Sequence, residues 1–320
     1  LSEDPLLYAL GGGHGHTLRG LAILRRLGRG RLIAPPRLHD WADRLGIATL
    51  PTPERPTPEW AAALPAPPLL LVDTFPRGVL GELPPLLERA PAWLIARRVR
   101  PDLYLHPPIR KAIENRYERL LWCEEPPYEL ADLQLPQRRV GPILLEPEPL
   151  SRAAARAELG ITPHARLLIG LGSGTTRRQA GLCRLLERLA RRFDSELLFV
   201  SAELLAGGPV RPLFPAGRYL RAADAVVSAA GYHAAHETLL AGVPTLLIPQ
   251  ARPHDDQAWR AAGRPLARGP EEVQAWLASL REGDRPAQAR FPDGAAEVAA
   301  LVERRMQAGV LGEEQIAAGA

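Results

Sequence analysis

The sequence of 320 residues predicts an α/β protein: two open domains in tandem, each a doubly wound parallel sheet flanked by helices. Three observations predict it. Short apolar runs alternate with segments of helical periodicity along most of the chain. A glycine-rich turn follows the first apolar run of each half. A proline-rich break, GPILLEPEPLS at 141–151, separates the halves and sets the expected domains at 1–146 and 147–320.

In the first half, PLLYAL at 5–10 reads as a buried strand that a glycine cluster ends. Leu18, Leu21, Leu24 and Leu27, with Ile23 beside them, then mark one face of a helix that Gly28 closes. Residues 31–34 form a second strand, stopped by Pro35 and Pro36, residues 69–72 a third and residues 93–99 a fourth. Beyond the break, residues 166–171 read as a strand followed by GSGTT. Leu182, Leu185, Leu186, Leu189 and Phe193 then repeat as on an amphipathic helix. Strands follow at 197–201, 225–228 and 245–248, with a helix from Tyr232 to Ala241 closed by Gly242 ahead of Pro244. In open parallel sheets ligands bind beyond the carboxyl ends of the strands, so two such domains facing a cleft can each present one reactant.

Composition narrows the class. Apolar residues make up 46% and charged residues 24%, and 34 prolines with 28 glycines fall short of a low-complexity composition. Collagen-like, coiled-coil and disordered readings are excluded. The longest apolar runs, at 67–72 and 245–249, are far shorter than the roughly 20 residues of a membrane-spanning helix. No charged segment leading into an apolar one opens the sequence, so a cytoplasmic location is expected. Cys123 and Cys183 form no CxxC pair and no disulfide framework.

Forty basic residues face 36 acidic ones, and Lys111 is the only lysine. The net charge of +4 suits anionic small molecules or an anionic membrane surface. Without a basic stripe interleaved with aromatics, no nucleic-acid partner is expected. Arg110, Lys111, Arg116 and Arg119 cluster, but Glu114 and Glu118 sit among them and helical spacing spreads them around the axis. An ordinary solvated helix surface is the favoured reading, with peripheral contact at the inner membrane face as the alternative.

Two segments could carry chemistry. The first is GGGHGHTLR at 11–19, where Gly12, Gly13, His14 and Gly15 surround a strand-to-helix turn and His16 opens the helix. Glycines let the backbone approach a ligand, and a helix start offers free N–H groups. The spacing is not GxGxxG, no acidic residue follows the second strand, and no GK[ST] is present, so neither a nicotinamide cofactor nor a P-loop is expected. The competing reading is that the histidines cap the helix or fill space, with more weight on it for His14 than for His16. The second segment, 224–257, carries Gly231 at the turn, then Tyr232, His233 and Glu237 on the helix, and Asp255, Asp256 and Gln257 after the next strand. Glu237 shares a helix side with His233, and a carboxylate there accepts two hydroxyl bonds at once, as ribose recognition needs. The competing readings are a solvated Glu237, Asp255 as a helix N-cap and Gln257 as an exposed first-turn residue.

GYHAAHETLLAGVPTLLIP followed by DDQ resembles the donor-binding signature of GT-B glycosyltransferases, in particular the MurG-like family 28 C-terminal domain. GGGHGHTLRGLAILRRL resembles the N-terminal segment of that group and of bacterial predicted glycosyltransferases, and so does DTFPRGVLGEL at 73–83. The resemblance implies two Rossmann-like domains facing a cleft and a hexosyltransferase activity. Sugar would move from a nucleotide-sugar donor, UDP-linked, to an acceptor hydroxyl by in-line, inverting attack, with no cofactor or metal. The acceptor would be lipid-linked or a glycan.

By the same resemblance Glu237 takes the ribose hydroxyls, Gly172, Ser173 and Gly174 meet the diphosphate, Asp256 and Gln257 hold the donor sugar, and His16 accepts the proton. The family often has a small polar residue at the position of Ala230, Asn at His233 and a hydroxyl residue at Ala234, so part of the phosphate contact is either missing here or supplied by His233. Leu213 or Phe214 would stack on the base. Two alternatives keep the fold: a nucleotide-sugar hydrolase with water as acceptor, and a non-catalytic nucleotide-sugar-binding protein.

Overall fold

The computed structural model describes residues 3–162, 164–172, 176–201 and 210–318. The chain divides into two compact units, Leu1–Leu145 with Pro292–Ala320, and Glu146–Phe291. The first holds a seven-stranded, all-parallel sheet of β1 (Leu6–Tyr8), β2 (Arg31–Ile33), β3 (Ala48–Thr49), β4 (Leu70–Asp73), β5 (Ala92–Ala96), β6 (Arg119–Trp122) and β7 (Gln137–Arg139). Its order is β3-β2-β1-β4-β5-β6-β7. The second holds a five-stranded parallel sheet of β8 (Arg166–Leu171), β9 (Ser195–Val200), β10 (Val210–Arg211), β11 (Ala225–Ser228) and β12 (Thr245–Leu247), in the order β10-β9-β8-β11-β12.

Each chain path starts in the middle of its sheet, runs to one edge and returns to build the other. The reversal puts a topological switch point between β1 and β4 and another between β8 and β11.

Central strands are apolar along their whole length because helices cover both faces. Leu6, Leu7 and Tyr8 of β1 and Leu70, Leu71 and Val72 of β4 are fully buried. In β8, Leu167 and Ile169 join one core layer and Leu168 the opposite one, as the two-residue pleat requires. The first helix, His14–Leu27, lies close on the sheet because Gly20 has no side chain: a Cβ there would come within 2.8 Å of Leu7 and Leu32. Gly28, at φ 72°, ends it in the left-handed conformation, its N–H bonding Leu24 O at 2.9 Å.

The last helix, Gly294–Ala318, departs from the expected second domain of 147–320, because it packs on the first unit against His14–Leu27. Val298, Leu301 and Val302 bury one helical face there. Arg26 pairs with Asp293 at 2.9 Å and Arg29 with Glu303 at 3.0 Å, and Glu297 accepts Gly141 N–H at 2.8 Å. Of the basic cluster, Arg110 is ion-paired with Glu114 and Asp132, and Arg116 with Glu88. Arg119 is not on that helix, which ends at Arg116; it opens β6. Among the described residues no helix is long and apolar enough to cross a membrane.

Candidate active site

In the first unit the chain leaves β1 through Ala9 and Leu10 and turns at 11–13. Gly13 is the N-cap of the first helix, with extended backbone and no side-chain bond to the helix start. Gly11 is required sterically, since a Cβ there would collide with the His16 ring, whereas Gly12 and Gly13 border open space. His16 and Arg19, three apart, share a helix face, and that face meets Asp73 at the carboxyl end of β4, across the switch point.

The three side chains interlock. His16 Nδ1 lies 2.5 Å from Asp73 Oδ2. Arg19 grips the same carboxylate with two bonds, Nε to Oδ1 at 2.7 Å and Nη2 to Oδ2 at 2.6 Å, and its Nη2 stands 3.3 Å from His16 Nδ1. Thr74 Oγ1 donates to Oδ2 at 3.2 Å. Arg19 and Asp73 are each 1% exposed and His16 7%.

Burial alone would raise the Asp73 carboxyl, but the Arg19 guanidinium, with the bonds from His16 and Arg19, holds it well below the usual carboxylate range. An ionised carboxylate only accepts, so Nδ1 of His16 carries the hydrogen and Nε2 keeps the lone pair. Burial pushes the imidazole below its ordinary value against the pull of Asp73, and the charges of Arg19 and Arg97 push the same way. The result is a buried, oriented, neutral imidazole with one nitrogen able to take a proton.

The segment after β4 is strained and tied down. Thr74 is at φ 68°, a left-handed conformation costly for a β-branched residue, on the order of 1–3 kcal/mol. It is held by its N–H to Ile95 O at 2.8 Å and by Tyr104 Oη donating to its carbonyl at 2.8 Å. The turn sets the Phe75 ring 5.1 Å from the His16 ring. Further on, Tyr8 donates to the buried Glu82 and accepts Val79 N–H at 3.0 Å, while Glu82 accepts Leu80 N–H at 2.9 Å. His14 is not brought to this cluster; half-buried, it lies 5.3 Å from the Trp41 ring.

Asp73 and Arg19 are functional candidates that sequence reasoning missed. The available signals were an acid ending an otherwise apolar strand and an arginine one helical turn beyond the histidine.

In the second unit, Gly172 follows β8, and a Cβ on it would lie 2.5 Å from Gln179 Oε1. Ser173 and Gly174 lie outside the described residues. Beyond β11, the small buried Ala229 and Ala230 lead to Gly231, the N-cap of helix Tyr232–Ala241, which lacks a side-chain cap. The Tyr232 ring is buried, 5.2 Å from the His233 ring and 4.7 Å from that of His236.

His233 Nδ1 stands 3.3 Å from Glu237 Oε1, one turn apart. Glu237 is only 8% exposed, so it is not a solvated helix residue. Its carboxyl group lies against Gly217 of the 3-10 segment Ala216–Ala222, where a Cβ would come within 2.9 Å of Glu237 Cδ. Leu213 packs against the core of this unit, and Phe214 is half-buried.

Asp256, not Asp255, caps helix Gln257–Ala261, its Oδ1 accepting Trp259 N–H at 3.1 Å. Gln257 is buried: its Oε1 accepts Gln250 N–H at 2.9 Å and its Nε2 donates to Asp255 at 3.1 Å. Asp255 pairs at 2.5 Å with Arg260, whose guanidinium stands 6.0 Å from the Tyr232 ring centre. A cavity of about 500 Å³ lies beside the ends of β8 and β12, lined by Leu171, Leu182, Leu185, Ile248 and Pro249 among others; among the described residues, none of the donor residues expected from the sequence lines it. Among the described residues no three His, Cys, Asp or Glu side chains gather as a metal site would need.

No family model matches the sequence, and no curated protein matches it. Solved structures do. The chain is similar to the glycotransferase of kitacinnamycin, with a TM-score of 0.62 and 19% identity over 96% of this chain and 100% of that one. It is similar to the spinosyn rhamnosyltransferase SpnG complexed with thymidine diphosphate, with a TM-score of 0.57 and 17% identity over 95% and 96% of the two chains. It is also similar to Acinetobacter baumannii MurG, with a TM-score of 0.53 and 12% identity over 94% and 99%. The chain thus has the GT-B fold, built as two Rossmann-like parallel-sheet domains of seven and five strands.

Proposed function

We propose that the chain is a glycosyltransferase that moves a sugar from a pyrimidine nucleoside diphosphate sugar to an acceptor hydroxyl. The observation that carries the reading is the His16–Asp73 contact of 2.5 Å at the carboxyl edge of the first sheet. A neutral imidazole with Nδ1–H fixed on an ionised carboxylate has the arrangement of a general base. His16 Nε2 takes the acceptor's hydroxyl proton as the oxygen attacks the anomeric carbon. The bond from that carbon to the diphosphate breaks, and the leaving group departs with the electron pair. In-line attack inverts the anomeric centre.

We assign the donor to the second unit. The N–H groups of the uncapped helix start at Gly231–Tyr232, with His233, take the diphosphate. Glu237 takes the ribose hydroxyls at the Gly217 segment, and the 255–257 segment takes the sugar. Ser173 and Gly174 are assigned to the diphosphate by the family resemblance. Uridine is the base the resemblance implies, and SpnG carries thymidine diphosphate, so both belong in the test.

A melting panel of nucleoside diphosphates and their sugars tests donor binding, since a ligand of the folded state raises the melting point by mass action. A pyrimidine diphosphate sugar is expected to give the largest rise; no rise with any member contradicts the assignment. Product analysis then separates the chemistries. Sugar joined to an added acceptor supports transfer, and free sugar released equally without acceptor supports hydrolysis.

A further inference from the structure

We propose that Arg19 is a positioning residue: its guanidinium locks the Asp73 carboxylate in one orientation and offsets that carboxylate's charge where it faces His16. The proposal rests on the reading of His16 as the base. Arg19 is 1% exposed, so it touches no substrate and acts only through its neighbours. Its two parallel bonds to the carboxylate form a fork that lysine cannot reproduce. The same Nη2 that bonds Oδ2 stands 3.3 Å from His16 Nδ1, so a full positive charge rests against the nitrogen that carries the hydrogen.

A lone carboxylate beside an imidazole both aims the ring and raises its affinity for a proton. Here the two effects are separated. Asp73 at the end of β4 contacts the His16 ring, the Phe75 ring lies 5.1 Å from it and Arg19 stands beside it on the same helix. Thr74 bonds Asp73 and Arg19, and the charge of Arg97, following β5, also acts on the imidazole. The Arg19 guanidinium stands beside both the carboxylate and the ring nitrogen, so the ring gains orientation from Asp73 while a cation offsets that carboxylate's charge. Burial works in the same direction as the cations. The imidazole stays an empty acceptor through the neutral range, and the imidazolium formed when it takes the hydroxyl proton gives that proton up readily afterwards.

The test is an NMR titration of the histidine imidazoles in the full chain, with His16→Gln identifying the signal among the eight. It is run beside the pH profile of nucleoside diphosphate release from UDP- and TDP-sugars. Arg19→Gln removes the charge and is expected to move the His16 midpoint up by about 1 pH unit, carrying the acid limb of kcat with it. Arg19→Lys keeps the charge and loses the fork. Its midpoint is expected to stay near wild type while kcat falls roughly ten- to a hundredfold at unchanged donor KM.

Arg19→Gln leaves Asp73 buried without its cation. Should that variant not fold, the Arg19→Gln/Asp73→Asn pair removes both charges, and the Lys variant still reads the fork. A midpoint that stays or falls in Arg19→Gln, or wild-type kcat in Arg19→Lys, overturns the proposal. If the midpoint moves as expected but His16→Ala transfers sugar normally, the base assignment fails and the coupling of Arg19 to the ring stands.

Discussion

At the switch point of the first sheet, between β1 and β4, three ionisable side chains touch: His16, Arg19 and Asp73, all nearly excluded from solvent. At the switch point of the second, between β8 and β11, stand Gly172, Ala229, Ala230 and Gly231, and the carboxylate of Glu237 is a turn and a half along the helix. The strand order around the two places is the same, and the furnishing is opposite. On the proposed function, fixed charge that orients a proton acceptor suits the place where bonds change. On the same proposal, small residues and a helix start suit a place where a large anion must come close to the main chain. The difference teaches that a doubly wound sheet supplies a location, and side chains decide whether the location reacts or holds.

The largest way to break the contrast is Asp73→Ala. It leaves the Arg19 guanidinium buried without its partner, a loss on the order of 3–5 kcal/mol, and frees the His16 ring. Denaturant unfolding is expected to show an early transition with transfer abolished; an unchanged transition would mean that the cluster does not bind the first unit together. Glu237→Ala tests the holding side. It removes hydrogen bonds to a charged group, about 1.5–3 kcal/mol of donor affinity, or roughly a ten- to hundredfold weaker Kd by calorimetry. Wild-type donor affinity in that variant removes the ribose assignment.

Acidification sharpens the comparison by acting on the first unit. The folded His16 imidazole is held below its unfolded value of about 6.5, chiefly by burial. In the window beneath 6.5 the unfolded chain binds the extra proton, so stability is present above that value and is lost as pH falls through the folded one. Asp73, depressed by Arg19 and its bonds against the cost of burial, adds its own loss only below about pH 3.9. The melting temperature is expected to drop from pH 7 to pH 5, by no more than about 1.4 kcal/mol of stability per pH unit from this one group, and the drop is smaller in His16→Gln. Equal slopes in the two proteins contradict the linkage. The smallest effect is Asp256→Ala, which loses an N-cap worth about 1 kcal/mol on a short helix. If that variant also loses donor affinity, Asp256 contacts the donor as well as capping.

Much of this was legible in the residues. β1, β4, β8 and β11 show as apolar runs because a parallel strand covered on both faces has no polar side. β3 and β10, two residues each at sheet edges, and the exposed QRR of β7 carry no such pattern. β6 was hidden behind basic residues that suggested a continuing helix, although its Leu120 and Leu121 are fully buried. The last helix announces an apolar face in Val298, Leu301 and Val302, but periodicity does not say which unit receives it. At the site, His16 and Glu237 stood out by motif. Asp73 did not, because its meeting with His16 is a matter of sheet register, 57 positions apart in sequence.

The central claim is that His16, aimed by Asp73, removes the acceptor's proton, and single-turnover transfer by His16→Ala with donor bound tests it most directly. The account predicts a rate lowered by about 10²–10⁴-fold, with the calorimetric donor Kd unchanged. A variant that transfers sugar at the wild-type rate, folded and saturated with donor, would contradict it.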